Sequence, residues 1–336
     1  MNGDTEENKM FKYSVNESAV KIIEEKIIPN KEILRIGVIK DNLGATIIDM
    51  GINYPGSWLA GKYFTEIGLG GLGEVNFCHI YIEKYKCIAV QVIVSRPLEA
   101  EMSSHVAYWR LKNPETGKIT TISGPIRAIK GADVYARAVD YRDPHPRKAV
   151  ACIQTTKYPS NSFIKLIARE VEIDPKDIYI LVAPTASIVG SIQISARTVE
   201  QVLPTLYDHN FNLNNIIHAY GIAPIAPIAK TELDAYGLVN DCVIYGNETI
   251  LYVSCEDKEI ISILDEIPFS KKSNNDIYGL SFKEILQRCD CDWAKVPRDW
   301  DAPAKVIFHN QKSGHSFSTG KINYEMLSKS LFMSKE

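Results

Sequence analysis

The chain has 336 residues, of which 45% are hydrophobic and 24% are charged, and its formal net charge is −3. These values are ordinary for a globular protein with room for two domains and a sizeable core. The small net charge and the lack of a basic stripe argue against a nucleic-acid-binding protein. No apolar run reaches the length of about 18 residues that a membrane-spanning helix needs.

The first 13 residues, MNGDTEENKMFKY, are polar and charged. They lack the apolar core of a signal peptide, and their composition is typical of a disordered N-terminal extension. We therefore expect residues 1–13 to lie outside the folded domains.

A helix is predicted over residues 14–28, because Val15, Ala19 and Ile22 recur at helical spacing and Ser14 or Asn16 can cap the first turn. Short elements of both kinds follow. In chain order they are strands 33–39 and 45–50, helix 57–67, a glycine-rich turn over 68–73, a hairpin of strands 75–82 and 87–94, and helices 99–111 and 126–132.

The segment 140–148, DYRDPHPRK, is the best candidate for a linker between domains, since it is polar, contains two prolines and shows no periodicity. We predict an N-terminal α/β domain over 14–145 and a C-terminal α/β domain over 146–336. The elements predicted in the second domain are strand 149–154, helix 160–170, strand 177–183, helix 195–207 with a kink at Pro204, strands 241–245, 250–254 and 304–308, and helices 259–267, 281–289 and 324–331. Hairpins and crossovers together favour an α+β fold with mixed α/β layers.

The strongest functional pattern is the segment 181–200, LVAPTASIVGSIQISARTVE. An apolar strand leads through small residues into a helix predicted to start near Ser195, so Arg197 and Glu200 share its first turn and one face. A carboxylate there can take a proton from water, and the arginine beside it can keep it ionised. The same spacing is also typical of a solvated surface ion pair.

Two further groups of small or polar residues are candidates for binding a ligand. Thr185 and Ser187 belong to a run of small residues that leaves room for one, although such a run is also typical of close helix–sheet packing. Asn240 and Asp241 precede an apolar segment and can hydrogen-bond a polar heterocycle, or can cap a turn.

Residues 68–73, GLGGLG, match the dinucleotide-binding pattern G-x-G-x-x-G. That pattern requires a strand before it and a helix after it, whereas here a predicted helix precedes it and a predicted strand follows. On this motif alone, an NAD(P)-dependent dehydrogenase is an alternative function. The motif is also consistent with a flexible turn, or with a backbone surface where Gly70 and Gly71 let a flat ring approach closely.

The seven cysteines are odd in number and scattered, which favours a reducing cytoplasm over a disulfide framework. No pair of histidines and no cluster of cysteine and histidine has the spacing of a zinc site. We therefore expect no metal site.

Several segments resemble one known family when they are taken together. The most specific are PTASIVGS followed by SAR-x-x-E, then APIAPIA and NDC-x-x-YG. The matching segments are 14–17, 51–61, 64–73, 123–128, 181–200, 221–229, 240–246, 278–282 and 302–306. On these residues the chain resembles methenyltetrahydromethanopterin cyclohydrolase, a one-carbon enzyme of methanogenic and related archaea and of some methylotrophic bacteria. The sequence departs from the family at the N-terminal extension, at Pro204 and over 289–300.

The resemblance implies two domains side by side with the active-site cleft between them, assembled into a homotrimer. It implies a cytoplasmic hydrolase that needs no metal or cofactor. The reaction would be the reversible hydrolysis of 5,10-methenyltetrahydromethanopterin to the 5-formyl product, in methanogenesis, its reverse or formaldehyde oxidation. The expected partner is the small-molecule pterin, without nucleic acid or membrane.

The arginine and glutamate that are catalytic in this family correspond to Arg197 and Glu200 through the motif SAR-x-x-E. Glu200 is then predicted to activate water, and Arg197 to tune Glu200 and to stabilise the new oxygen. A pterin-binding protein without activity is a further alternative, since it would keep the cleft without needing Glu200. The residues predicted to bind substrate are Thr185, Ser187, Arg127, Gly70, Gly71, Asn240 and Asp241.

Overall fold

The computed structural model describes residues 13–144, 146–271 and 276–332. Except for Tyr13, the predicted N-terminal extension lies outside the described residues. The α-helices are α1 (Val15–Ile22), α2 (Lys31–Leu34), α3 (Trp58–Gly68), α4 (Val134–Arg137), α5 (Asn161–Val171), α6 (Ile188–Ser195), α7 (Thr198–Asp208), α8 (Glu232–Gly246), α9 (Asp257–Ile261), α10 (Phe282–Arg288) and α11 (Tyr324–Leu331). Within the described ranges, no helix combines the length and the apolar character needed to cross a bilayer.

Strands and shorter helical turns complete the structure. The strands are β1 (Gly37–Lys40), β2 (Thr46–Asp49), β3 (Gly73–Ile82), β4 (Tyr85–Val94), β5 (Trp109–Lys112), β6 (Ile119–Ile122), β7 (Ala149–Gln154), β8 (Ile178–Ala183), β9 (Ile216–Pro224), β10 (Glu248–Val253), β11 (Lys305–Asn310) and β12 (Ser316–Gly320). Helices with wider, π-type turns cover Ile23–Ile27 and Leu98–His105, and 3-10 turns cover Pro125–Ala128, Pro175–Asp177, Leu213–Asn215, Phe269–Lys271, Trp293–Lys295 and Arg298–Trp300.

The smaller sheet has the strand order β1-β2-β8-β7, with β1 antiparallel to β2 and the other neighbours parallel. Successive side chains of a strand point to opposite faces of a sheet. Accordingly, Ile48 packs in the core with α1 and α3, and Ile47 packs on the other side with α5. Helices therefore cover both faces of this sheet. The hairpin β5-β6 joins the edge at β7 through a bridge between Ser123 and Cys152.

The larger sheet has the strand order β12-β11-β10-β9-β4-β3, and only β10 and β11 are parallel neighbours. One face is buried, with Val92, Ala219 and Leu251 in the same core as α7 and the helix Leu98–His105. Fully burying an aliphatic side chain contributes about 1.5–3 kcal/mol. This core therefore holds the start of α7 firmly against the sheet.

The opposite face of the larger sheet carries a row of apolar side chains in direct cross-strand register. Ile93 on β4 lies opposite Tyr220 on β9, Tyr220 lies opposite Ile250 on β10, and Ile250 lies opposite Ile307 on β11. Ile93 is 42% exposed, and the other three are partly buried. We refer to these four residues as the apolar row.

The predicted α+β class is confirmed, because layers of helices pack on two open sheets of mixed strand direction. Each sheet takes strands from both sides of residue 145: β2 pairs with β8, and β4 pairs with β9. The chain therefore crosses between the sheets more than once. The domain division at residue 145 stays a prediction.

Some predicted elements are wrong in kind. The strand predicted over 33–39 begins as α2, and β1 starts only at Gly37, because Arg35 ends the helix in a left-handed conformation with φ 57°. The helix predicted over 99–111 ends at His105, and β5 follows it. The strand predicted over 241–245 lies inside α8. The pattern of a short apolar run does not distinguish a strand from a buried helix, which explains this last error.

Candidate active site

The predicted catalytic pair lies at a break between two helices. The helix predicted over 195–207 is wrong at its start, since α6 ends at Ser195 and α7 begins at Thr198. Between them Arg197 has φ −78° and ψ 35°, and its N–H donates to the carbonyl of Ile194 at 3.0 Å. Arg197 is thus the N-cap of α7. Glu200 lies in the first turn, where the helix dipole favours a carboxylate.

The small residues before the pair form α6 rather than a loop. Ser187 caps this helix, and its hydroxyl accepts from the N–H of Gly190 at 2.9 Å. A Cβ added at Gly190 would lie 2.0 Å from the carbonyl oxygen of Pro184, and one added at Gly61 on α3 would lie 2.8 Å from Ile192. Small residues here therefore serve close packing of α6 against α3 and the preceding turn.

The guanidinium of Arg197 is fixed on both sides. Its Nη1 donates to the carbonyl of His105 at 2.9 Å and lies 3.2 Å from Oε2 of Glu200. Its Nη2 donates to Oε1 of Gln193 at 3.2 Å and to the hydroxyl of Ser123 at 3.4 Å. The planar fork of arginine serves all of these acceptors at once, which a lysine ammonium cannot do in the same geometry.

Glu200 is held between this cation and a backbone amide. Its Oε2 faces Arg197, and its Oε1 accepts from the N–H of Ala107 at 3.1 Å. Its side chain is 16% exposed, so water can reach the carboxylate. Both contacts are charge-assisted and orient the carboxylate. The arrangement is suited to taking a proton from a water molecule.

One backbone segment, residues 105–107, contacts both members of the pair. The carbonyl of His105 accepts from Arg197, and the N–H of Ala107 donates to Glu200. The sequence did not predict this segment, because backbone groups are the same in every residue type. It also missed Ser123, although that residue begins the matching segment 123–128.

A second carboxyl, that of Asp301, lies close enough to Glu200 for the charge of Glu200 to change its pKa. The pKa of Asp301 is raised to about 6, first by loss of solvation and further by the negative charge of Glu200, while Arg298 opposes this rise. Nη1 of Arg298 lies 2.7 Å from Oδ2 of Asp301, and its Nη2 donates to the hydroxyl of Tyr135 at 3.1 Å. The sequence patterns did not indicate this group, which directly follows residues 289–300.

Thr185 and Ser187 lie at the other end of α6 from the catalytic pair. This helix has 8 residues, and at 1.5 Å per residue its ends are about 12 Å apart. The N–H of Thr185 donates to Glu232 at 3.1 Å, and the Thr185 hydroxyl accepts from Gln154. The structure therefore does not bring these two residues to the pair, and their role in binding substrate stays a prediction.

Arg127, Gly70 and Gly71 lie around the helix that leads to residues 105–107. Arg127 is fully buried, makes two hydrogen bonds of 2.7 Å to Asp133 and donates to the carbonyl of Ser104 at 3.0 Å. Gly70 and Gly71 have φ of 66° and 70°, and a Cβ added at either would press on α1, at 2.6 Å and 3.1 Å. All three positions have a packing role in the structure, and substrate contact by them stays a prediction.

Asn240 and Asp241 lie on α8 and not before a strand. The amide of Asn240 donates to the carbonyl of Tyr236 at 2.8 Å. The carboxyl of Asp241 accepts from the N–H of Phe282 at 2.7 Å and from the hydroxyl of Ser330 at 2.6 Å. Asp241 thus links α8 both to the start of α10 and to α11. Binding of substrate by these two residues also stays a prediction.

The carboxyl of Asp241 should make stability depend on pH. Burial raises its pKa to about 7. With an unfolded pKa of about 3.9, the folded state binds more protons between these values, so the free energy of unfolding falls as pH rises from about 4 to about 7. Asp241→Asn keeps an acceptor for Phe282 and cannot ionise. Between pH 5 and pH 8 we expect the melting temperature of the variant to fall less than that of the wild type, as measured by thermal unfolding at the two pH values. An equal loss in both proteins would contradict this.

Residues 68–73, which match the dinucleotide-binding pattern, connect the end of α3 to the start of β3. A helix therefore precedes the motif and a strand follows, which is the reverse of the order that a dinucleotide site requires. Gly68 lies against the ring of His105, which a Cβ at that position would approach to 3.1 Å. Across the described part of the chain, no group of three or more His, Cys, Asp or Glu side chains is arranged to hold a metal ion.

The chain matches known proteins over almost its whole length. The family model described as Cyclohydrolase (MCH) matches residues 14–331. The chain is 38% identical over 328 residues to the methenyltetrahydromethanopterin cyclohydrolase of Methanocaldococcus jannaschii, covering 95% of this chain and 98% of that protein. The enzymes of the same name from Methanothermobacter marburgensis and Methanosarcina mazei are 34% and 35% identical, over 94% and 96% of this chain and 98% and 99% of theirs. The family match spans the strands of both sheets and the segment that contains Arg197 and Glu200, and the chain therefore belongs to the cyclohydrolase (MCH) family.

Proposed function

We propose that this protein is the enzyme that reversibly hydrolyses 5,10-methenyltetrahydromethanopterin to 5-formyltetrahydromethanopterin. The observation that carries the proposal is the 3.2 Å contact of Arg197 with Glu200 in a chain of this family. The relatives described above are named for this activity. We place the reaction in one-carbon metabolism (methanogenesis, its reverse or formaldehyde oxidation) and the enzyme in the cytoplasm, which its free cysteines favour.

The chemistry requires a proton acceptor more than an activator of the substrate. The carbon to be attacked lies between two nitrogens and shares their positive charge, so it is already an electrophile. The difficult step is to supply hydroxide at neutral pH. Glu200 takes one proton from water as the water attacks, and returns it to N10 as the bond between this carbon and N10 breaks. The hydroxyl left on the carbon becomes the formyl carbonyl and releases its own proton to solvent, which is the net proton of the hydrolysis. One carboxylate thus acts first as base and then as acid, and the scheme needs no metal or cofactor.

Arg197 corrects a disadvantage of this arrangement. A lone carboxylate would attract the cationic substrate, and this attraction would be lost as water attack neutralises the cation, so it would favour the ground state. The guanidinium at 3.2 Å counters the field of Glu200. Because the carbonyl of His105 and the amide oxygen of Gln193 hold it, Arg197 can stay in place when Glu200 is protonated. It can also donate to the oxygen that develops on the substrate.

The proposal is tested by conversion of the methenyl pterin with identification of the product. Chelator-treated protein is mixed with the substrate, the near-ultraviolet band of the conjugated cation is followed, and the 5-formyl and 10-formyl isomers are separated by chromatography. Rapid loss of the band with formation of the 5-formyl isomer supports the proposal. Tight binding without turnover would instead indicate a non-catalytic pterin-binding protein. The absence of both binding and turnover would reject the assignment.

We also propose that three copies of the chain assemble, with the apolar row in the contact between copies. The row crosses four neighbouring strands, from Ile93 on β4 to Ile307 on β11. A contiguous apolar patch that is open to water marks an interaction surface in soluble proteins. The hydroxyl of Tyr220, in the middle of the row, accepts from the side chain of Gln91 at 2.8 Å, which orders its ring.

Ile93→Glu should break this assembly. A charge buried in an apolar contact is left without solvation, whereas in a single chain the position is 42% exposed and tolerates it. By light scattering we expect the wild type at about three times the 37.7 kDa of one chain and the variant at about one chain. Ile33→Glu, at a position on α2 that is 72% exposed, is the matched control and should keep the wild-type mass. A monomeric wild type, or an unchanged mass for Ile93→Glu, would contradict the proposal.

A further inference from the structure

A second pair of ionisable side chains lies directly behind the catalytic pair. Glu101 and His105 are four residues apart in the π-type helix Leu98–His105, and their side chains are 0% and 2% exposed. Oε2 of Glu101 lies 2.8 Å from Nδ1 of His105. The other edge of the His105 ring packs against Gly68. The pair is enclosed by protein and takes no part in the proton transfer described above.

This buried pair is connected to the reactive groups through the backbone. The carbonyl of His105 accepts from Nη1 of Arg197 at 2.9 Å. Two residues later, the N–H of Ala107 donates to Oε1 of Glu200 at 3.1 Å. A displacement of His105 would therefore change the contacts of both catalytic side chains together.

The geometry favours an uncharged pair. Oε1 of Glu101 is buried and has no hydrogen-bond partner among the described residues, which is strongly unfavourable for an anionic oxygen. Burial, and then the negative charge of Glu200, raises the pKa of Glu101 well above its usual value. Burial, and then the positive charge of Arg197, lowers the pKa of His105 to about 3. The protonated carboxyl of Glu101 therefore donates to Nδ1 of His105.

Because an uncharged Glu101–His105 pair adds no charge to the site, the electrostatic field at the catalytic carboxylate is set by the other ionisable side chains. The charged groups that face the pair are Arg197 and Glu200 at the start of α7, and Arg127, which is paired with Asp133. Asp301 faces Glu200 from the segment before β11. An ionised Glu101 would place another anion beside Glu200 and oppose ionisation of the catalytic carboxylate.

We propose that Glu101 is a positioning residue: through an uncharged hydrogen bond to His105 it fixes residues 105–107, and so holds Arg197 and Glu200 in their reactive geometry. This inference rests on the proposed function, and it extends the catalytic machinery to a side chain that does not touch the substrate.

The kinetic test compares Glu101→Ala with Glu101→Gln in the full-length protein. The Gln amide can donate to Nδ1 of His105 as the protonated carboxyl does, so we expect kcat within about threefold of the wild type and an unchanged pH profile. With Ala the segment 105–107 is released, and a small misplacement of catalytic groups lowers kcat by about 10–100-fold with little change in KM. Weaker donation from Ala107 to Glu200 should also move the acid limb of kcat/KM to higher pH by about one unit.

Asp143→Ala is the matched control for loss of a buried carboxyl. Oδ2 of Asp143 accepts from the N–H and the side-chain amide of Asn16 at 2.9 Å and 2.6 Å, contacts that do not involve residues 105–107. This variant should lose melting temperature and keep the wild-type pH profile. The proposal is overturned if Glu101→Gln behaves like Glu101→Ala, or if Glu101→Ala keeps the wild-type profile.

A second measurement does not depend on turnover. In long-range ¹H–¹⁵N spectra of protein labelled at histidine, with the His105 signals assigned from their loss in His105→Gln, we expect a neutral ring with its proton on Nε2 from about pH 5.5 to pH 8. An imidazolium at pH 7 would overturn the uncharged pair. A wild type that binds no methenyl pterin and does not turn it over, but shows this neutral ring, would reject the proposed function and leave the hydrogen bond established.

Discussion

Glu200→Gln is expected to lower kcat by about 10²–10⁴-fold, the usual contribution of general acid–base catalysis. The amide has nearly the same shape, and its oxygen can still accept from the N–H of Ala107, as the carboxylate does at 3.1 Å. It can neither take a proton from water nor return one to N10. The measurement is the initial rate of loss of the methenyl band at saturating substrate.

Glu66→Gln is a closely matched control for this substitution. Glu66 is also a mostly buried glutamate, lies 2.8 Å from Lys62 and accepts a backbone N–H, that of Val75, at 3.1 Å. Its replacement should leave kcat within about threefold of the wild type, because its carboxylate contacts Lys62 and Val75 and neither member of the catalytic pair. Turnover of Glu200→Gln that equals that of Glu66→Gln would remove Glu200 from the mechanism.

Arg197→Ala should produce the second largest effect, a fall in kcat of about 10²–10³-fold, typical for removal of a donor that stabilises developing charge. The substitution removes the cation 3.2 Å from Glu200 and leaves the carbonyl of His105 without its donor. The second loss also lowers stability by about 1–3 kcal/mol. Rates should therefore be measured well below the melting temperature of the variant, which thermal unfolding determines.

Arg197→Lys separates the charge of the side chain from its shape. Lysine keeps the cation but cannot reach the carbonyl of His105, the side chain of Gln193 and Glu200 at the same time, because it lacks the planar fork. We expect only a partial recovery of kcat relative to Arg197→Ala. Full activity in Arg197→Lys would mean that this residue acts as a point charge alone.

Local patterns predicted those parts of the fold in which neighbouring residues determine the structure. The hairpin predicted at 75–82 and 87–94 corresponds to β3 and β4, and the helix predicted at 160–170 corresponds to α5. The segment 241–245 is apolar enough for a strand, yet it is the buried end of α8, because α10 and α11 cover it. Packing between distant segments decided that case, and a single sequence does not contain this information.

The same distinction applies to the site. The spacing of Arg197 and Glu200 is local and was visible in the sequence, but the break between α6 and α7 was not, because an uninterrupted helix has the same residue pattern. The contact between Arg197 and His105 joins residues 92 positions apart and uses a carbonyl oxygen, which every residue has. Glu101 and His105 are separated by one helical turn. The sequence alone shows neither that both side chains are buried nor that they adjoin residues 105–107.

The most direct measurement is a single-turnover experiment with chelator-treated wild type and Glu200→Gln, each in excess over methenyltetrahydromethanopterin. Equilibrium binding is measured beside it for both proteins. We expect both to bind the pterin, and only the wild type to remove the near-ultraviolet band rapidly with formation of the 5-formyl product. Loss of the band at the same rate with both proteins would show that Glu200 does not activate the water.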